Sequence, residues 1–213
     1  MTGKQSPTAK THQRRKEARP SEILDAALAE FEEHGFGKST MGGIARRAGV
    51  ARGTVYLYYK DKDAVFDALM RARLTDPLID MQAGLEGYDG DSETLLRMLI
   101  AHLYDDIFEG RNIVILRVLV TEGPRLPHLV KLHYDRVMDI GMGFLKMIIA
   151  RGVARGEFDR TAAEVDPRVL IGPALMALLW QLVFASVAEI DLDDIKEGHI
   201  RIVLDGIRAK PTQ

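Results

Sequence analysis

The sequence predicts an all-α fold, and three observations carry that prediction. Apolar residues recur at spacings of three and four along nearly the whole chain. No stretch alternates apolar and polar residues as a half-buried strand does. Thr40, Asp61 and the pair Asp166-Pro167 stand where helices would begin, and Gly35 where one would stop. The chain has 213 residues, 46% hydrophobic and 28% charged, enough for a globular protein with a real core. It has no cysteine, which excludes disulfides and thiolate metal sites. Its first residues lack the apolar core of a signal peptide, and no run reaches the roughly 18 apolar residues of a membrane span. A soluble, cytoplasmic protein with no membrane partner is expected.

Each element follows in order. Residues 1–19 hold Lys4, Lys10, Arg14, Arg15, Lys16 and Arg19 among polar residues that support no core, and read as a basic flexible arm. Such an arm either adds phosphate or minor-groove contacts or serves only as a solvated tail. A first helix is expected over about 21–34, with Ile23, Leu24, Ala27, Leu28 and Phe31 on one face. Gly35 ends it and Phe36 folds back as an apolar closure. Thr40 caps a second helix whose inward residues are Met41, Ile44, Ala45 and Ala48. A third covers 52–58. Asp61 caps a fourth, which Pro77 should kink or end. The Gly-rich segment after Gly84 separates these from further helices over about 92–108, 112–122, 128–155, 167–187 and 193–208.

The segment TMGGIARRAGVARGTVYLYYKDK, Thr40 to Lys62, reads as a helix-turn-helix whose second helix enters the major groove of DNA. Ala45 is small where two helices cross, Gly49 can take the left-handed turn conformation, and Val55 packs the second helix onto the first. Charge agrees with this placement. Residues 1–62 carry 12 Lys/Arg against 7 Asp/Glu, whereas the remainder carries 17 against 24.

With the preceding helix ending in HGF, the run IARRAGVARGTVYLYYKDKDAV resembles the DNA-binding domain of TetR/AcrR family transcriptional regulators over about residues 20–66. A weaker likeness, in ILRVLVTEGPRLPHLVKLHYDR and IARGVARGEFD, is to the regulatory domain of the AefR-like branch. The resemblance implies a homodimer that binds a palindromic double-stranded DNA operator and is released by a small-molecule effector in its C-terminal domain. The domains expected are 20–66 for DNA binding and 67–213 for effector binding and dimerisation.

Carried onto this chain, the resemblance gives Arg52 and Thr54 to base edges, with Gly53 letting the backbone approach. A good bidentate pair is worth about 1–3 kcal/mol of discrimination. Tyr58 and Lys62 match positions that grip phosphate. Tyr56 is expected mainly in the domain core, with its hydroxyl still able to reach the DNA backbone. Thr40, Gly42 and Gly43 expose the amides of the second helix toward a phosphate. Gly42 departs from members that carry a polar side chain there. Leu57 points outward and offers only an apolar contact. Arg46 and Arg47 serve phosphate or a solvated face, with Arg47 taken as the contact.

No catalytic residue, cofactor or metal is expected. GFGKST contains the Gly-Lys-Ser of a phosphate loop, but Glu32 stands where that loop needs glycine, and the segment follows a helix. His128 and His133 point apart on a helix. Asp105, Asp106 and Glu109 read as a solvated acidic face.

Met98, His102, Leu116, Leu119, Tyr134, Met138, Met142, Trp180 and Phe184 are candidate effector-cavity residues, each with core packing as the alternative. His102 and Tyr134 are the expected polar anchors. Glu122 either balances a cationic ligand or has a surface or capping role. The helix from Pro167 is too apolar for one exposed face, so with the last helix it forms a dimer bundle or completes the subunit core. The expected function is a ligand-responsive regulator, a repressor released by a small apolar or aromatic effector. The alternative is a DNA-binding protein of the same fold without an effector, in an architectural or cell-division role.

Overall fold

The computed structural model describes residues 7–84, 87–108 and 111–209, with side chains from residue 18 onward. It is all-α. Among the described residues the only strand-like pairing is an isolated bridge between Phe158 and Arg208. Helix α1 spans Pro7–Lys38 and is broken at Gly35, whose φ of 71° and ψ of 165° suit glycine. Helices α2 (Met41–Arg47) and α3 (Arg52–Tyr58) follow, then α4 (Lys62–Met70) and α5 (Asp76–Gly84). The rest are α6 (Ser92–Phe108), α7 (Ile113–Glu122), α8 (Pro127–His133), α9 (Asp139–Ala154), α10 (Pro167–Val183) and α11 (Leu192–Ile207).

Three differences from the expected elements have physical causes. The arm expected over 1–19 is helical from Pro7, while residues 1–6, with Lys4, lie outside the described residues. Lys, Arg, Gln, Glu and Ala in this stretch are strong helix formers, so propensity extends a helix that no core demands. Pro77 does not end its helix. A π turn over Arg71–Thr75 widens the backbone ahead of it, with the Asp76 amide reaching back to the Arg71 carbonyl, and α5 continues in line. A second π turn, Tyr134–Met138, interrupts the expected helix between α8 and α9. The two π turns pack against each other.

Two apolar clusters divide the molecule. The first joins the inner faces of α1–α4, around Ile23, Phe31, Ile44, Val55 and Phe66, to Val114, Ile115 and Val118 of α7 and Leu129 of α8. Phe31, Phe36 and Phe66 meet there with ring centroids 5.3–6.0 Å apart. The second lies among α5, α6, α9, α10 and α11, with Leu96, Phe144, Ile148, Leu178 and Ile200 at its centre. The first cluster therefore draws on both sides of position 66. No helix among the described residues is long and apolar enough to cross a membrane.

Buried His199 ties α11 to α6 and α10 in the second cluster, and half-buried His133 ends α8. His199 Nε2 is 2.7 Å from the Leu170 carbonyl, so it carries the proton, and Nδ1 accepts from the Tyr104 hydroxyl at 3.2 Å. Burial pulls His199 below its usual value, with the Leu170 bond opposing, and pulls His133 down to about 4. Both histidines are near 6.5 in the unfolded chain. Their contribution to stability is complete above that value and is lost as pH falls through 6.5 toward the folded values. Thermal unfolding at pH 7.5 and 5 should show wild type losing more stability on acidification than His133→Leu, by at most about 2 kcal/mol. Parallel losses would remove His133 from this account.

Candidate nucleic-acid interface and internal cavity

Residues 40–58 form the compact unit that the sequence leads one to expect. Thr40 caps α2, its hydroxyl oxygen accepting from the Gly43 amide at 2.9 Å. The turn passes through Gly49 at φ 63°, and a Cβ there would meet nothing within 4 Å. Backbone conformation rather than space therefore requires glycine. The Val50 amide closes the turn on the Ala45 carbonyl at 3.0 Å. Val55 is fully buried and fixes which side of α3 faces inward.

The opposite side of α3 carries Arg52, Gly53, Tyr56 and Leu57 into solvent, with Thr54 and Tyr58 half-buried. Leu57 is 84% exposed, an apolar side chain offered outward from a seven-residue helix. Tyr56, expected mainly in the core, is 43% exposed. One helical turn places it beside Arg52, whose Nη2 donates to the Tyr56 hydroxyl at 3.2 Å while the guanidinium lies 5.6 Å from the ring centroid. That partnership draws the ring outward.

Other expected contacts have duties inside the protein. Arg47 Nε donates to Glu30 at 2.7 Å, and its Nη2 binds Glu33. These carboxylates hold the guanidinium above its usual value, and Arg47 holds Glu33 below the usual carboxylate range. Glu30 is buried on the apolar face of α1. A Cβ at Gly43 would come within 1.9 Å of its Oε1, so Gly43 makes room for that carboxylate, whereas the space at Gly42 is open. Glu30 is a residue that sequence reasoning missed, although it falls seven positions after Ile23 on the inward stripe. Lys38, Arg46 and Lys60 are exposed basic residues of this unit and its edges.

Lys62 is turned inward. Its ammonium donates to the carbonyls of Phe36, Gly37 (3.3 Å) and Ser39 (3.0 Å) and lies 4.4 Å from the Phe36 ring centroid. An ammonium has three donors, and here each has a carbonyl. Burial pulls Lys62 below its usual value, with Glu122 and Asp63 opposing. Glu122, the last residue of α7, completes the arrangement. Its Oε1 accepts from the Phe36 amide at 2.6 Å and its Oε2 from the Gly37 amide at 2.7 Å. Of the two roles open to Glu122, this is the capping one. The turn between α1 and α2 thus has its amides held by an acid and its carbonyls by a base.

The candidate effector residues separate. His102, Met138 and Met142 line one cavity of about 90 Å³, together with Leu78, Leu99, Leu103, Asp106, Val137, Gly141, Leu145 and Ile171. Leu116 packs at the edge of the second cluster and Leu119 at the edge of the first. Met98 and Tyr134 are exposed. Trp180 and Phe184 meet as a tilted pair with ring centroids 5.0 Å apart and do not line that cavity, and the Trp180 indole N–H donates to the Ala188 carbonyl at 2.8 Å. Asp106, expected on a solvated face, lines the cavity, and burial with help from Asp105 pushes its carboxyl up to about 7. His102 is lowered by burial against the opposing effect of Asp105. His128 pairs with Asp63 at 3.1 Å, and among the described residues no cluster is arranged to hold a metal ion.

Comparison with known proteins agrees with this geometry. Residues 23–69 match the family model described as bacterial regulatory proteins, tetR family. The chain is 27% identical over 199 residues to the HTH-type transcriptional repressor KstR2 of Rhodococcus jostii, spanning 91% of this chain and 93% of that one. It is 30% identical over 135 residues to the HTH-type transcriptional regulator YvdT of Bacillus subtilis, spanning 63% and 67%. The solved structure of a SmeT–triclosan complex superposes with a TM-score of 0.76 at 21% identity, over 90% of this chain and 92% of that one.

Three substitutions separate reading, gripping and bracing. Arg52→Ala should relax base preference, while Arg46→Ala should weaken binding to all sequences and flatten the salt dependence by about one unit. Lys62→Ala should lower the thermal midpoint and leave the salt slope in place, because its donors are already taken. Salt titrations of fluorescent duplexes, beside thermal melts, check all three; a slope change with Lys62→Ala would give that ammonium back to the DNA backbone.

Proposed function

The chain belongs to the tetR family of bacterial regulatory proteins, and we propose that it is a ligand-responsive repressor that binds a palindromic operator as a homodimer and is released by a small apolar or aromatic effector. The observation that carries the reading is α3. It is anchored by fully buried Val55 and presents Arg52, Tyr56 and Leu57 outward, as a helix entering the major groove requires. A single helix of this length reads too few bases for selectivity, so two copies on mirrored half-sites are needed.

The second copy has a surface to meet. Val169, Met176, Leu179 and Val183 form an exposed stripe along α10, continued by Val187 just beyond it, and Ile202 is 69% exposed on α11. Apolar area of this kind favours burial against a partner. We assign DNA binding to residues 20–66 and effector binding and dimerisation to 67–213, with α7 bracing the former. The effector site is the cavity under α5, α6, α9 and α10, within the part of the chain whose fold matches a protein solved with triclosan.

Release requires differential binding of the effector to two arrangements of the dimer. Glu122 and the pairs His128–Asp63 and Arg136–Asp67 (3.8 Å) join the effector-binding part to α1 and α4. An effector that moves α7, α8 or the second π turn would thereby move the helix-turn-helix. The cavity's small volume favours a second reading, a regulator of the same fold without an effector, since it is below the roughly 150 Å³ of an engineered void that holds benzene.

Selection of bound sequences from a random DNA pool should return an inverted repeat. Titration of that operator should show affinity falling with a molecule that occupies the cavity. Binding of such a molecule with unchanged operator affinity would overturn the switch, and a non-repeated site would overturn the dimer. Glu122→Gln keeps one acceptor and turns the other into an NH2 facing a backbone N–H, so it should cut the operator response to effector and lower stability by about 3 kcal/mol; an unchanged response would take the coupling away from this residue.

A further inference from the structure

The cavity walls are Leu, Ile, Val, Met and one glycine, Gly141, with two exceptions. His102 and Asp106, one turn apart on α6, are the only ionisable side chains among the residues that line it. His102 Nε2 comes 3.4 Å from Asp106 Oδ2 but is misaligned, and it is buried without a hydrogen-bond partner. A buried nitrogen left in that state is costly, about 1–3 kcal/mol. The missing group must face an imidazole on one side and a carboxyl on the other. A hydroxyl does both, accepting from one and donating to the other.

We infer that this cavity takes an uncharged, largely apolar molecule of about the size of phenol, whose single hydroxyl bridges His102 Nε2 and the Asp106 carboxyl. The inference rests on the reading of the cavity as the effector site and names the chemistry of its ligand. Charge is disfavoured on both signs. No Lys or Arg lines the cavity to hold an anion, and a cation would find only the Asp106 carboxyl, which burial biases toward its uncharged form. The titration of the pair agrees. Burial raises Asp106 to about 7 and lowers His102, favouring the uncharged form of each, in which the carboxyl donates to the ligand oxygen and the ligand hydroxyl donates to Nε2.

A water molecule has the same two capacities, and what favours an organic hydroxyl is the apolar remainder of the wall. The room, about 90 Å³, is less than the roughly 150 Å³ of an engineered apolar cavity that binds benzene. Met138 and Met142 supply the difference, because unbranched thioethers change rotamer readily, and Met138 ends the π turn rather than a regular helix.

Calorimetric titration of the full chain with phenol, toluene, benzylamine and benzoate at neutral pH tests the inference. Phenol and toluene have nearly the same shape, and toluene leaves water more readily, so an unanchored apolar cavity prefers toluene. The expected result is phenol binding about tenfold tighter than toluene, with His102→Leu and Asp106→Leu each reversing the order. Should a leucine variant fail to fold, Asp106→Asn and the wild-type ratio decide. Toluene equal to or tighter than phenol in the wild type overturns the hydroxyl anchor while leaving an apolar effector site intact. Benzylamine or benzoate binding tightest overturns the uncharged class. No binding by any of the four overturns both this inference and the effector reading beneath it.

Discussion

The turn between α1 and α2 is the point through which the rest of the molecule is aligned. Glu122 accepts from the Phe36 and Gly37 amides and Lys62 donates to the Phe36, Gly37 and Ser39 carbonyls, so these groups just after the break at Gly35 are matched. Glu122 comes from α7, more than eighty residues further along the chain, and Lys62 opens α4. The aromatic group of Phe31, Phe36 and Phe66 sits beneath the same turn. Hydrogen bonds to charged groups contribute roughly 1.5–3 kcal/mol each, comparable with the burial of one of those rings. The orientation of α2 and α3 is thus set by α7 as much as by their own packing.

The long helix made of α4, the first π turn and α5 runs from that turn to the cavity. It begins with Lys62 on the turn and reaches the cavity wall at Leu78. The second π turn lies against the first and supplies Val137 and Met138 to the same wall. Backbone that departs from regular α geometry is easier to rearrange than the helices on either side. Both departures thus lie side by side and next to the cavity wall, the first of them on the helix that Lys62 ties to the turn between α1 and α2.

Features governed by neighbouring residues were legible in the sequence. The Thr40 cap, the left-handed Gly49, the inward Val55, the outward Leu57 and the bounds of α3 each follow from spacing within one or two turns. What stayed hidden depends on partners far along the chain. Arg47 looks available for phosphate until Glu30 and Glu33 are seen across from it, and Lys62 until the carbonyls beneath it are counted. Gly43 reads as an opening toward DNA, yet it clears space for Glu30. The π turns escape because one extra residue per turn barely disturbs a three-and-four pattern, and Pro77 then looks like a stop. Of the cavity, His102, Met138 and Met142 were legible as inward chemistry. Asp106 was not, because a carboxylate beside another carboxylate suggests solvent.

Arg52 at rest against Tyr56 has a kinetic meaning. A guanidinium leaving that ring for a guanine gives up about 0.5–1 kcal/mol of contact. If Arg52 meets DNA as proposed, phosphates on any sequence offer the guanidinium some return, and a guanine that accepts both of its forked N–H groups offers the most. Its departure would free the Tyr56 hydroxyl for a neighbouring strand. On that reading a small local contact sets a threshold that a matching site clears by the widest margin.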